Sequence, residues 1–342
     1  MTSIQTSAAV DVVLPGAPAI DGLRLRTVDA AADWEGLAEL ARAASAVDDD
    51  DYFPSAESLR IDLESRPNFD LARDLLVAEV DGRIVAAADG NAAVRDGYPV
   101  HYIFGRVHPD WRRRGIGRAM FHWNERRARA LGAANPTLGG PRAQLGTWVG
   151  EPEHGALALV ESEGYGINRY AFTMIRRDLD DVTIEPMPDG LEIRPVTPDQ
   201  HRAIFTADDE AFRDHFEHRV QTDGDFTAMF SQPDVDTSLW RVGWDGDEVA
   251  GSVQGWIWKA ENAVVGIERG WLERISVRRP WRRRGLAKAL ITATIVALRE
   301  RGVEEVLLGV DAQNPNGALA LYESLGFEVK VRAMSYRKPL VT

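Results

Sequence analysis

The sequence predicts a mixed α/β (α+β) protein built from two tandem copies of one domain, each with a central sheet. Three observations lead to this fold class. The chain has 342 residues, 44% of them apolar and 27% charged, and this length exceeds what one ordinary core fills. The second half of the chain repeats segments of the first half. Within each copy, short strand patterns precede and separate helical patterns, which is typical of helices packed on a sheet.

The internal repeat consists of four matched segments in one order. Residues 21–26 match 189–194, 80–87 match 244–251, 107–117 match 277–287, and 155–165 match 317–327. The offsets stay between 162 and 170 residues, so the two copies share one sequence of elements. We therefore expect a flexible tail over 1–20, a first domain over 21–178, a linker over 179–188 and a second domain over 189–342.

The elements of the two copies follow from local signals. Asp-Gly pairs at 81–82 and 245–246 stand between alternating apolar runs and predict tight hairpins. Gly132 and Gly302 are expected to end the helix that follows the Arg/Gly segment described below. The other predicted elements are strands at 23–25, 102–107, 191–193, 272–277, 306–310 and 329–336, and a short helix at 317–325.

Composition excludes several classes of function. The formal net charge is −13, which argues against a nucleic-acid or anionic-membrane binder, because both need a basic face. The chain has no cysteine, so disulfides, thiolate metal sites and a cysteine nucleophile are excluded, and a reducing cytoplasm is the expected location. No apolar run is long enough to predict a membrane span, and the first twenty residues do not resemble a signal peptide.

An Arg/Gly loop stands between a strand and a helix in each copy, at 112–118 and at 282–288. The first amides of a helix are unpaired and lie at the positive end of its dipole, which suits a phosphate. Small residues at 285 and 287 would let a diphosphate reach that backbone, while the arginines add donors. A solvated helix cap is the alternative. Neither a Walker-type loop nor a GxGxxG fingerprint is present at these places.

The second copy resembles the GCN5-related N-acetyltransferases in two motifs. Arg282, Gly285 and Ala287 follow a strand that ends at Val277, and Asn-Pro-Asn-Gly-Ala-Leu-Ala-Leu-Tyr-Glu-Ser-Leu-Gly-Phe stands at 314–327. The resemblance covers nearly the whole chain, once per copy, and indicates a tandem two-domain member. It implies a mixed, mostly antiparallel sheet flanked by helices in each domain, and acetyl-CoA as the cofactor.

The resemblance also implies where coenzyme A (CoA) binds. The backbone near Val277 would pair with the pantetheine arm, and the Arg/Gly loop would hold the diphosphate. The expected cofactor-binding residues are Ile275, Ser276, Val277, Arg282, Arg283, Arg284, Gly285, Leu286, Ala287, Lys288 and Asn314 in the second copy, and Val107, Arg112, Arg114, Gly115 and Gly117 in the first.

The second copy alone carries the expected catalytic residues. Glu273, four residues before Val277, is expected to be the general base, and Tyr322 the general acid. Counting places Ile103, Val160 and Pro152 of the first copy at the positions of Glu273, Tyr322 and Asn314. We therefore expect the first domain to be degenerate. An ion pair of Glu273 with Arg274 or Arg269, and a core packing role for Tyr322, are the alternatives.

Other polar and aromatic clusters carry weaker signals. The acidic runs 48–51 and 208–210 are expected to be solvated, with a mouth for a cationic acceptor as the alternative. His201, His215 and His218 are expected at the surface, and we predict no metal site. Five tryptophans of the second copy are expected to pack in the core or on a sheet face, with an acceptor wall as the alternative: Trp240, Trp244, Trp256, Trp258 and Trp271.

The sequence therefore predicts an acetyl-CoA-dependent N-acetyltransferase that acetylates a primary amine. The expected partner is a small-molecule acceptor, for which the acidic net charge favours a cation, with no nucleic acid and no membrane. A monomer or a homodimer is expected. The alternative is a non-catalytic acyl-CoA-binding or regulatory module.

Overall fold

The computed structural model describes residues 9–314 and 317–341 and divides the chain into two compact units. Among the described residues, unit 1 is formed by 9–169 together with 333–341, and unit 2 by the described part of Tyr170–Arg332. Each unit contains one copy of the predicted sheet with helices packed on it. The predicted fold class is confirmed.

Unit 1 has the sheet order β1-β2-β3-β4-β5-β12, in which β4 and β5 are parallel and the other neighbours antiparallel. Helices α1 and α4 contact β3 and β4. The elements are β1 (Leu23–Thr27), α1 (Trp34–Asp48), α2 (Ala56–Ser65), α3 (Leu71–Asp74), β2 (Leu75–Val80), β3 (Arg83–Arg95), β4 (Tyr98–Val107), α4 (Ile116–Ala134), β5 (Gln144–Gly150), α5 (His154–Ser162) and β6 (Gly166–Arg176), whose last seven residues belong to unit 2.

Unit 2 repeats this plan with the order β6-β11-β10-β9-β8-β7, in which β10 and β11 are parallel and the other neighbours antiparallel. Helix α6 contacts β9 and β10, and so does α9. The elements are β7 (Glu192–Arg194), α6 (His201–Phe212), α7 (Asp223–Ser231), β8 (Arg241–Asp245), β9 (Glu248–Trp256), α8 (Lys259–Val265), β10 (Arg269–Val277), α9 (Leu286–Arg299), β11 (Glu305–Asp311), α10 (Ala318–Ser324) and β12 (Glu328–Pro339).

The compact units differ from the predicted domains because each sequence copy gives its last strand to the other unit. Ala333–Pro339 of β12 pairs antiparallel with β5, and Tyr336 and Leu340 are buried in the unit 1 core. Ala171–Arg176 of β6 pairs with β11 in unit 2. The predicted boundary at 179–188 separates the sequence copies, whereas the compact units exchange strands across it. An alternating apolar pattern predicts that a segment is a strand, but it does not predict which of two similar sheets the strand joins.

Residues 9–20 are ordered against unit 1, in contrast to the predicted flexible tail. Val12 donates its amide to the carbonyl of Leu25, and Thr27 donates to Val10. The Leu14 side chain is only 6% exposed and lies in the apolar cluster beneath α4. This segment therefore adds backbone pairing to β1 and apolar burial to the core, which offsets the entropy of ordering it.

The helix ends agree with the sequence in unit 2 and differ in unit 1. Gly302 lies just after α9 with a φ of +87°, as predicted. Gly132 lies inside α4, which continues to Ala134. A Cβ on Gly132 would stand 2.9 Å from Leu340 Cδ2. This glycine permits close packing instead of ending the helix.

Each unit has its own apolar core, and both predicted hairpins are present. Asp81-Gly82 forms the turn between β2 and β3, as predicted, whereas the turn between β8 and β9 is Gly246-Asp247, because Asp245 still pairs with Glu248. The largest cluster, in unit 2, packs α9 against β9, β10 and β11 through Leu286, Leu290, Ile291 and Ile295, all at most 1% exposed. Within the described chain, no helix is both long and apolar enough to cross a membrane.

Candidate active site

An opening between β10 and β11 defines the candidate site of unit 2. The two parallel strands pair only from Arg269↔Glu305 to Trp271↔Leu307 in the described chain. Beyond Trp271, the edge of β10 that faces β11 lies outside this ladder. Backbone groups on such an edge are available to an extended ligand that adds like a strand.

A β-bulge lies in β10 next to this opening. The register passes from Glu273↔Gln254 to Ser276↔Ser252, so that Arg274 and Ile275 together oppose Val253. Arg274 takes a φ of +48°, a left-handed conformation that a non-glycine residue adopts at a cost. A bulge re-aims the side chains beside it.

Glu273 lies on the face of the sheet covered by α6. Directly paired residues of neighbouring strands place their side chains on the same face, and the amide of Gln254, the partner of Glu273, donates to Asp208 of α6. Glu273 is half-buried, and this burial raises the pKa of its carboxyl, while the charge of Arg274 opposes the rise. A carboxyl with a raised pKa is suited to proton transfer.

The cations offered as ion-pair partners of Glu273 have other partners. Arg269 pairs with Glu305 and lies 3.7 Å from Glu261. Arg274 Nε lies 3.5 Å from Asp208 Oδ2. Both arginines therefore also serve other carboxylates, and Arg274 remains close enough for its charge to act on Glu273.

Tyr322 and Asn314 lie on the segment that follows β11. Tyr322, on α10, is 6% exposed and packs edge-on against Phe327, with ring centroids 6.2 Å apart. Burial raises the pKa of its phenol above the usual value. The backbone amide of Asn314 donates to the carbonyl of Asp311 at the end of β11. The motif residues 315 and 316 lie outside the described residues.

The Arg/Gly loop of unit 2 presents its backbone to solvent at the start of α9. Residues 283–285 are exposed, and α9 begins at Leu286. Gly285 has a φ of +91°, and no described atom outside its neighbours lies within 4 Å of where its Cβ would be. The first amides of α9 have no partner within the helix, and the exposed loop before them leaves space for an anion.

The first arginine of each loop uses its guanidinium to bind other groups of the same unit. Arg282 donates through Nε to the carbonyl of Val277 at 2.9 Å and pairs with Asp214 at 2.6 Å. In unit 1, Arg112 donates to the carbonyl of Val107 at 3.0 Å and pairs with both oxygens of Asp48 at 2.7 Å. These arginines brace the loop against the end of the strand.

The remaining loop arginines are more exposed. Arg283 and Arg284 are both exposed, and Arg284 donates to the carbonyl of Asp189. In unit 1, Arg114 lies over the ring of Trp111, 4.6 Å from its centroid. Gly115 has a φ of +89° and precedes α4, so the loop conformation recurs. In unit 1, Pro18 Cβ lies 3.5 Å from where a Cβ on Gly115 would be.

Unit 1 keeps the opening but lacks the bulge and the carboxylate. Within the part of the chain that the structure describes, β4 and β5 pair only over Val100–Tyr102 and Gln144–Gly146. The β3–β4 ladder continues through ten described pairs to Ala86↔Val107 without a register shift. Counting residues back from Val107 makes Ile103 the equivalent of Glu273. Counting along the partner strand gives a different result: Glu273 pairs with the third residue beyond Gly251 of β9, and Phe104 pairs with the third residue beyond Ala86 of β3, so Phe104 is the structural equivalent.

The acidic runs are less solvated than the sequence predicts. Asp208 is fully buried and accepts hydrogen bonds from Ser252, Ser276 and Gln254. In unit 1, Asp48 and Asp50 pair with Arg112 and Arg106. Asp208 was missed, although Ile204 and Ala211 stand four residues before and three after it, a spacing that puts all three on one helix face.

The aromatic residues of unit 2 form a connected cluster. Trp240, Trp244 and Trp256 are at most 5% exposed, which confirms core packing for them. Trp258 stacks on Trp256 with centroids 4.7 Å apart. His201, expected at the surface, stacks on Phe230 at 4.1 Å. No group of three potential metal-ligating His, Asp or Glu side chains occurs in 9–314 and 317–341.

Comparisons with known proteins assign this architecture to a family. A model of the Acetyltransferase (GNAT) family matches residues 201–327, and a model of the Acetyltransferase (GNAT) domain matches residues 72–165. The mycothiol acetyltransferase of Salinispora arenicola is 32% identical over 84% of this chain and 87% of its own length. That of Clavibacter michiganensis subsp. michiganensis is 30% identical over 95% and 98%.

Solved structures agree in fold. A GCN5-related N-acetyltransferase from Sphaerobacter thermophilus superposes with a TM-score of 0.69 and 28% identity, covering 96% of this chain and 98% of that one. A tandem GNAT protein from the clavulanic acid biosynthesis pathway gives a TM-score of 0.65 and 19% identity, covering 94% and 99%. The chain belongs to the GNAT family of acetyltransferases, is an N-acetyltransferase with two tandem domains, and resembles the mycothiol acetyltransferases.

Proposed function

We propose that unit 2 transfers an acetyl group from acetyl-CoA to the primary amine of a small acceptor, with Glu273 as general base and Tyr322 as general acid. The observation that carries this proposal is a half-buried carboxylate beside a bulge and an open strand edge. The raised pKa of Glu273 suits a group that accepts a proton from an ammonium and later releases it.

The residues of unit 2 fit CoA at three places. The open edge of β10 at Ile275, Ser276 and Val277 would bind the pantetheine arm. The start of α9, at Leu286, Ala287 and Lys288, would hold the diphosphate, because its amides are bare and Gly285 leaves space before them. Arg283 and Arg284 would add charge, Arg282 would fix the loop, and Asn314 would be a further anchor. When bound, acetyl-CoA supplies the acetyl thioester.

The two side chains would have complementary roles in proton transfer. Glu273, once ionised, takes a proton from the acceptor ammonium and leaves a nucleophilic amine. Burial raises the pKa of Tyr322, so its hydroxyl keeps its proton and would donate it to the sulfur that leaves the acetyl carbon. Holding the thioester against the acceptor amine would convert a bimolecular attack into a nearly unimolecular one.

For the acceptor, we propose the substrate of the mycothiol acetyltransferases. Relatives of that name match this chain over 84% and 95% of its length, which favours a shared acceptor over other small amines. A panel of amines tests this, with product detection by mass spectrometry. Acetylation of the amine that those relatives acetylate, well above other amines, is expected, and preference for a different amine would overturn the assignment.

We extend the proposal to unit 1 without catalysis. Its loop keeps the brace by Arg112 and the left-handed Gly115, and its strands open as in unit 2. CoA binding through Val107, Arg112, Arg114, Gly115 and Gly117 would then occur without turnover, because Phe104 stands where the base would be. The stoichiometry of CoA binding, measured by calorimetry, tests this extension, and one CoA per chain would refute it.

Two substitutions test the catalytic roles. We expect Glu273→Gln to lower kcat by about 10²–10⁴-fold and Tyr322→Phe by about 10²-fold, with little change in the KM for acetyl-CoA. Glu300→Gln and Tyr170→Phe serve as controls, since both residues are exposed. Wild-type rates in either test variant would remove that residue from its role.

A further inference from the structure

Asp208 is a buried carboxylate to which the proposed reaction gives no role. It lies on α6 and is 0% exposed. Burial raises the pKa of its carboxyl, while Arg274 and the neighbouring hydroxyls oppose the rise. A carboxylate at such a place destabilises the fold unless donors surround it. Three side-chain donors surround Asp208 and offset this cost.

The partners of Asp208 stand on both sides of the bulge. Oδ1 accepts from Ser276 Oγ at 2.5 Å and from Ser252 Oγ at 2.6 Å, and these two serines form the pair after the bulge. Oδ2 accepts from Gln254 Nε2 at 3.0 Å, and Gln254 is the strand partner of Glu273 in the pair before the bulge. Arg274 Nε, within the bulge, lies 3.5 Å from Oδ2.

In unit 1, the corresponding helix and strand pair have neither a carboxylate placed like Asp208 nor a bulge in the described residues. The only acidic residue among the buried residues of α1, a helix described in full, is Asp48 at its end, which pairs with Arg112. The β3–β4 ladder of the described chain has no shift at the corresponding pairs. A buried carboxylate bonded to the strand pair and a bulge in that pair therefore occur together in unit 2, and neither is present at the corresponding place among the described residues of unit 1.

We propose that Asp208 is a positioning residue for acetyl transfer, which clamps the bulge of β10 and thereby fixes the direction of the Glu273 carboxylate. This inference rests on the proposed role of Glu273 as the base. A bulge with a left-handed Arg274 persists only where neighbouring groups enforce it. A displacement of a catalytic group by about 1 Å costs on the order of 10²-fold in rate.

Asp208→Asn tests the clamp with little change in volume. An asparagine keeps an oxygen for Gln254 Nε2 and Arg274 only if its NH2 faces the hydroxyls of Ser252 and Ser276, which must then accept instead of donate. The substitution also removes the negative charge that faces Arg274. We expect kcat to fall by about 10–100-fold, while the KM for acetyl-CoA stays within about twofold. Asp33→Asn is the matched control, because Asp33 is a 6% exposed carboxylate paired with Arg26 in unit 1. It should leave kcat unchanged.

A double variant separates positioning from general stability. If Asp208 acts through Glu273, adding Asp208→Asn to Glu273→Gln should lower the residual rate by less than about twofold. A purely structural role would lower the rate by the same factor on both backgrounds and would overturn the inference. An unchanged kcat in Asp208→Asn would also overturn it. Failure of the base proposal shows separately, as a wild-type rate in Glu273→Gln alone.

Gln254→Met provides the test if Asp208→Asn does not fold. The methionine keeps the length of the side chain and removes the donor to Asp208 Oδ2. We expect a fall in kcat of about tenfold with CoA affinity retained. A wild-type kcat in a folded Gln254→Met protein would contradict the clamp.

Discussion

Glu273 shows at the residue scale how a proposed catalytic role opposes stability. Burial raises the pKa of this carboxyl above its ordinary value of 4.5, so the folded state binds its proton more tightly than the unfolded state does. As the pH rises from about 4.5 through the raised value, the free energy of unfolding decreases. Ionisation of Glu273 in the folded state is thus destabilising, as functional sites often are.

Glu273→Gln should therefore be more stable than the wild type at pH 7, although less active. A neutral amide avoids the cost of burying a charge, and we expect the Tm to rise by roughly 2–4 °C. Thermal unfolding at pH 7 and at pH 4 measures this. The difference should shrink at pH 4, where the carboxyl is protonated in both states, and a lower Tm at pH 7 would contradict the prediction.

Asp208 is buried although the residues next to it in sequence are acidic. Its neighbours in sequence, Asp209 and Glu210, suggested a solvated acidic run. Helical spacing places it on the buried face with Ile204 and Ala211. The donors that stabilise it, from β9 and β10, are 44 to 68 residues away in sequence, so only the folded chain reveals the cluster.

At the element scale, the Arg/Gly loop and the helix after it form one unit of recognition. In unit 2, Arg282 donates a hydrogen bond to the last carbonyl of β10, and Gly285 turns the chain into α9, whose first backbone amides have no partner within the helix. The same local sequence produces the same conformation twice, at Gly115 and Gly285. Local chemistry therefore determines this element, and its position beside the strand opening makes it a candidate diphosphate site.

Gly285→Val should weaken CoA binding in unit 2. The φ of +91° is strained for a β-branched residue, and the added atoms would fill the open space before α9. We expect the KM for acetyl-CoA to rise by about tenfold or more, a change of about 1.4 kcal/mol or more in binding free energy. Steady-state kinetics of the transferase reaction measures this quantity.

Gly302→Val is the matched control for backbone strain. Gly302 has a φ of +87°, has no described atom within 4 Å of its Cβ position, and lies beyond the other end of α9. It should lose similar stability while the KM for acetyl-CoA stays near that of the wild type. Equal changes in KM for both variants would mean that strain, and not access to the loop, explains the effect.

At the scale of the whole molecule, the exchanged last strands link the two sequence copies. Tyr336 belongs to the second copy in sequence, yet it is buried in unit 1 and donates its hydroxyl to Glu161. Phe327, nine positions earlier, is buried in unit 2. The stability of each unit therefore depends on residues that the repeat assigns to the other copy.

Tyr336→Ala should destabilise unit 1, and Phe327→Ala should destabilise unit 2. Each removes a buried ring, with an expected loss of about 3–5 kcal/mol in the free energy of unfolding. Hydrogen exchange followed by mass spectrometry measures where protection is lost. We expect losses in β5 and α5 for Tyr336→Ala and in β11 and α9 for Phe327→Ala. Losses confined to unit 2 in both variants would contradict the exchange.

The repeat, the order of the main elements, the hairpins and the Arg/Gly loops before α4 and α9 are predictable from the amino-acid sequence, because they depend on short-range backbone preferences and apolar periodicity. A family resemblance adds Glu273 and Tyr322 as catalytic candidates. The folded chain is needed to see which sheet receives β6 and β12, that β10 bulges whereas β4 does not, and that Asp208 lies under the bulge. These features depend on contacts between residues far apart in the chain, which local preferences do not encode.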